Sequence, residues 1–72
     1  MSKNRELPKH IQDQIDHMPE HSYGVTRVTL TLKDGTVIPD VYVGWATEVV
    51  KVGESTEVTF DTSEVIAVKH QP

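Results

Sequence analysis

From Val25 to Val52 apolar and polar side chains alternate: Val28, Leu30 and Leu32 interleave with Arg27, Thr29 and Thr31, and Val37, Val41 and Val43 resume the rhythm. A period of two is that of a half-buried β-strand, so two strands are expected here, joined by Lys33-Asp34-Gly35-Thr36. Asp34-Gly35 suits a two-residue type I′ turn, whose central residues both need positive φ. Such a turn sets Leu32 opposite Val37, Leu30 opposite Pro39 and Val28 opposite Val41, all on one face. A slip of one residue would set these side chains against Thr31 and Asp40, so pattern and turn agree on the register.

Upstream the period changes. Leu7, Ile11, Ile15 and Met18 recur at spacings of four, four and three, which places them on one stripe of a helix. Pro8 suits the first helical position and Pro19 disfavours helical geometry at Met18, so the helix is expected at about residues 8–17. A helix of three turns is not stable alone in water, and its stripe must dock on the sheet. Residues 1–6 are polar and aperiodic and are read as a flexible tail, which leaves 7–72 as a single domain.

Downstream, Gly44-Trp45-Ala46-Thr47 is expected to bend the chain into a third strand, Glu48 to Val52, with Val50 and Val52 on one face. Gly53-Glu54-Ser55 reads as a turn, and Glu57 to Phe60 as a fourth strand with Val58 and Phe60 inward and Glu57 and Thr59 outward. Asp61-Thr62-Ser63-Glu64 has capping-box spacing, enough for a single helical turn. Val65 to Lys69 is a last strand, apolar on both faces and therefore expected to be covered on both.

The pattern thus predicts a mainly β fold, an N-terminal helix followed by a small five-stranded antiparallel barrel over about residues 25–69. Val28-Thr29-Leu30-Thr31-Leu32-Lys33-Asp34-Gly35-Thr36, preceded by a helix, resembles the first strands and Leu-Lys-Asp-Gly turn of the Sm-like family, within the wider SH3-like group of small barrels. In element order the resemblance extends over roughly residues 7 to 69; its specific part is those nine residues. It implies a closed barrel, ring assembly and RNA binding. The family's Asp-x-x-x-Asn loop after strand two is replaced here by Trp45-Ala46-Thr47-Glu48, so no RNA-contacting residue carries over.

Composition narrows the function. A chain of 72 residues buries only about 60% of the surface its unfolded form exposes. With no cysteine it has neither disulfides nor thiolate metal sites to compensate, so a partner subunit is an expected source of stability. The net charge of −4, with Lys33, Lys51 and Lys69 separated in sequence, argues against nucleic acid, which demands clustered cations. The longest apolar run, Val65-Ile66-Ala67-Val68, is too short for an export signal or a membrane span, and a cytoplasmic protein is expected.

Candidate chemistry is sparse. His10, His17, His21 and Glu20 are close in sequence, yet His10 and His17 would stand about 10 Å apart along a helix axis. Pro19 also separates His17 from His21, so no metal site is expected. Asp61, Ser63 and Glu64 are read as a cap, and with no phosphate loop or recognisable triad neither enzyme activity nor a cofactor is expected. Trp45 shares parity with Val41 and Val43 and is assigned to the core. Tyr42 lies on the opposite face beside Ile38, and with Ile66 and Val68 these form the expected interaction surface. The sequence therefore predicts a non-enzymatic protein-interaction or self-associating module, with an Sm-like RNA-binding protein as the alternative.

Overall fold

The computed structural model describes residues 5–20 and 24–71. Among these residues there are one short helix, α1 (Lys9–Ile15), and four strands, β1 (Val25–Leu32), β2 (Val37–Gly44), β3 (Glu48–Val52) and β4 (Val65–His70), with a 3-10 turn at Thr62–Glu64 before β4. The strands form one antiparallel sheet in the order β3-β2-β1-β4. This corrects the expected five-stranded barrel: the sheet is open, and residues 57–60 are not a strand. Their inward and outward pattern is nevertheless as expected, with Val58 and Phe60 buried and Glu57 and Thr59 exposed. Val58 and Phe60 belong to the core although their backbone does not join the ladder.

The core lies between one face of the sheet and α1. Leu7, Ile11 and Ile15 are buried against Val28, Leu30, Val41, Val43, Val49 and Val65, and Met18 packs at the margin, so the predicted stripe is the docked one. Burying a side chain the size of Ile15 contributes roughly 1.5–3 kcal/mol. Pro8 is the N-cap and its carbonyl accepts from Ile11 and Gln12 at 3.0 Å, one position earlier than expected. Arg5 and Glu6, expected in the flexible tail, lie along β3. Val49 N–H donates to Arg5 O at 2.8 Å, Glu6 forms a bridge with Glu48, and the Arg5 guanidinium donates to the carbonyls of Val49, Val50 and Thr56.

The first hairpin reaches the expected core by a different route. Gly35 N–H donates to Leu32 O and Leu32 N–H donates to Thr36 O, so three residues form the loop, and Gly35 alone among them has positive φ, at 94°. This is a turn closed by a left-handed glycine, not type I′. Thr36 holds the Asp34 carboxyl below its ordinary pKa through its side chain and then its amide, which lies 2.9 Å from Asp34 Oδ1. The extra loop residue shifts the register by one. Val37 pairs with Thr31 on the outer face, 58% exposed, and Ile38 pairs with Leu30 on the core face. Leu30 therefore faces Ile38, where Pro39 was expected.

A bulge then restores the register. Between the Leu30–Ile38 and Val28–Val41 pairs, β2 has one residue more than β1, accommodated at Pro39-Asp40, where Asp40 adopts φ 57°. Pro39 has no N–H to lose from the ladder, and a short polar side chain tolerates left-handed geometry. Beyond the bulge Val28 faces Val41, as predicted from the sequence. Two further irregularities occur. One, at Val50 in β3, exposes that residue and leaves Val49 in the core, contrary to the expected face; the other, at Ile66 in β4, leaves it half exposed.

Asp40 is fastened from several directions. Its carboxylate accepts from Arg27 and from Gln71 Nε2, its N–H donates to Gln71 Oε1 at 2.9 Å, and its carbonyl accepts from Gly53 N–H at 2.7 Å. Hydrogen bonds from Arg27, then from Gln71, hold the Asp40 carboxyl below its usual range. The fold therefore favours the ionised form. The resulting stabilisation is complete above the unfolded value of about 3.9 and is lost as pH falls through the depressed folded value. Asp40→Asn should have lower stability at neutral pH and a flatter acid-unfolding profile below about pH 4 than the parent; parallel profiles for the two proteins would disconnect the clamp from acid sensitivity.

Candidate functional site

The second hairpin carries the most unusual backbone. Thr47 N–H donates to Gly44 O at 3.0 Å, closing a β-turn whose two central residues, Trp45 and Ala46, have φ of 55° and 59°. Positive φ at both centres is the type I′ signature expected at Asp34-Gly35, here occupied by residues with β-carbons. Left-handed geometry costs such residues about 1–2 kcal/mol each, and the turn persists because its surroundings fix it. Trp45 N–H donates to Gly24 O at 2.7 Å, Thr47 Oγ1 donates to Trp45 O at 3.0 Å, and Leu7 N–H donates to Thr47 O at 3.0 Å.

The turn reverses the direction of Trp45. Continued alternation would point it inward after Val41 and Val43; instead its side chain is on the surface, 67% exposed, which corrects its assignment to the core. The indole lies against the backbone of Gly24, where a β-carbon would stand 2.7 Å from Cζ2. Gly24, at φ 74°, is thus required both by its own backbone and by the ring above it. A tryptophan so held loses little further freedom on binding.

Two shallow clefts flank the ring. One, of about 320 Å³, lies between the turn and the end of α1, bounded by Ile15, Met18 and Thr26 at its base and by Asp16 and Glu20 at its rim. The other, of about 190 Å³, runs along α1 past Gln12, Asp13 and Asp16. Asp16 and Glu20 give the rim a negative charge, while Asp13 is paired with Lys9 at 3.1 Å. A larger cleft, about 570 Å³, lies between Glu6–Lys9 and Thr62-Ser63. Its polar side chains are committed within the fold: Gln12 Nε2 donates to Leu7 O and Ser63 Oγ to Asp61.

The expected interaction residues do not form one surface. Ile38 packs against the core, and Val68 is half-buried beside it. Tyr42 is on the outer face, with Lys51 Nζ 4.7 Å from its ring centre. Ile66 is 50% exposed on β4. Asp61 caps the 3-10 turn by accepting from Ser63 N–H at 3.0 Å, while the Glu64 carboxylate lies 3.5 Å from Lys33 Nζ. His10 and His17 are exposed on α1 and its following turn, and His21 lies outside the described residues. Among the described residues no three histidine or acidic side chains converge as metal ligands. The sequence could have revealed Trp45 only through its following residues, since Ala46-Thr47-Glu48 resumes no inward alternation.

Comparison with family models, curated proteins and solved structures finds no match for this chain. Gly24→Ala should place a methyl group inside the indole and force a left-handed backbone on alanine, lowering the thermal midpoint by an amount equivalent to about 1–3 kcal/mol. Gly24→Ala combined with Trp45→Ala relieves the clash but not the backbone strain, and should recover part of that loss; no recovery would mean that the ring does not rest on Gly24.

Proposed function

We propose that this protein is a non-enzymatic interaction module that engages a protein partner through Trp45. The exposed indole on a fixed turn carries the reading. Tryptophan is enriched among residues that dominate binding energy, and anchors are most effective when held rigidly before contact. The cleft at the end of α1 provides apolar contact at Met18, while Asp16 and Glu20 beside it favour a partner segment bearing lysine or arginine among apolar residues. Cations can also stack on the indole face. No helix among the described residues is long and apolar enough to cross a membrane.

A second reading, the Sm-like RNA binder, draws support from the outer face of the sheet. Arg27 faces Tyr42, Tyr42 faces Lys51, and Thr29 faces Lys69, so side chains isolated in sequence share one surface. Arg27 is bound to Asp40 and Lys51 lies over Tyr42, which leaves fewer cations for phosphate. The acidic rim and net charge of −4 favour the protein partner.

Screening a random peptide library against the folded chain distinguishes these readings. Selected peptides should combine basic and apolar residues, weaken with added salt, and lose roughly thirtyfold in affinity to Trp45→Ala, the equivalent of about 2 kcal/mol. Peptides indifferent to Trp45 would overturn the protein-partner reading at this site. Submicromolar, salt-sensitive binding of single-stranded RNA, lost on Lys51→Glu, would establish the alternative.

A further inference from the structure

We propose that two copies of this chain join through β4, antiparallel across a two-fold axis at Val68. The two edges of the sheet differ. The β3 edge is lined by Arg5 to Leu7, whereas β4 borders β1 on one side and, among the described residues, no strand on the other. Gln71 N–H donates to Arg27 O at 3.0 Å, which fixes the phase of the β1–β4 ladder. In an antiparallel pair the bonded positions alternate, so Lys69 and Ala67 bond to β1 while Val68 and His70 turn their N–H and C=O groups to the open edge. An edge of this kind is a template for a further strand.

Side-chain placement selects a second copy and its register. Centring the axis on Val68 sets Val68 opposite its copy, where the two backbones exchange a pair of hydrogen bonds, and places Lys69 opposite Ala67. Centring it on Lys69 would set two ammonium groups directly opposite each other, which is destabilising. Val68, half-buried on the core face, would extend that apolar face across the junction, and Ile66, half exposed, would lie opposite His70. Because Arg5 to Leu7 occupy the other edge, pairing through β4 alone closes at two copies and does not propagate.

Light scattering of the full chain should give twice the mass of 8.1 kDa, falling towards the single-chain value on dilution. The backbone amide of Val68, which β1 does not use, should exchange with solvent more slowly as concentration rises. Val68→Pro removes this outward N–H and should yield a folded monomer, whereas Ala67→Pro removes an N–H bonded to β1 and should unfold the chain. Concentration-independent exchange at Val68, or a folded Val68→Pro that remains dimeric, would overturn the proposal. A wild-type monomer at millimolar concentration, even one that captures an added extended peptide, would overturn it too.

Discussion

Asp40 is held in a left-handed conformation by three remote parts of the chain: Arg27 from β1, Gly53 after β3 and Gln71 beyond β4. Its conformation lets β2 carry one residue more than β1, and that residue cancels the shift introduced by the loop at Lys33 to Gly35. Without the correction, Val41 and Val43 would face solvent and Tyr42 the core, because a one-residue slip inverts every side chain. Val49 and Val52 pair with Val43 and Val41, so the placement of β3 follows from the same bulge.

The position of Trp45 is a further consequence. With Val41 and Val43 committed to the core, regular alternation would bury the indole next. The chain ends the strand at Gly44 and enters a turn left-handed at both centres, which directs the ring outward above Gly24. An Asn-Gly pair would form such a turn with less strain. Trp45-Ala46 is therefore a costly choice for a hairpin, and a tryptophan held on the surface is its chemical result. The helix contributes the other wall, since docking Ile15 brings Asp16 and Met18 alongside the turn.

The parts legible in the sequence were those governed by local period and chemistry. The stripe of Leu7, Ile11, Ile15 and Met18, the strands around Lys33-Asp34-Gly35, the inward Val58 and Phe60, and the Asp61 cap all depend on neighbouring residues. The bulge was not legible, because Asp40 is fixed by Gln71, 31 residues away. Asp34-Gly35 is compatible with more than one loop, and the observed choice is coupled to Lys33 N–H donating to Glu64 O. The missed exposure of Trp45 follows from extending strand parity into residues where a turn had replaced it. A fourth strand was expected at Glu57 because alternation reports burial, and burial does not require a ladder partner.

The molecule thus separates two surfaces. The clefts beside Trp45 lie along α1 and at its end, while among the described residues the open edge belongs to β4, across the sheet from β3. Trp45 is the only tryptophan, so its fluorescence reads the central claim directly. Native protein should emit like a solvent-exposed indole, be quenched by dissolved acrylamide nearly as readily as the unfolded chain, and yet show the slow rotational depolarisation of the whole folded particle. Blue-shifted native emission shielded from the quencher would place Trp45 in the core and contradict the account.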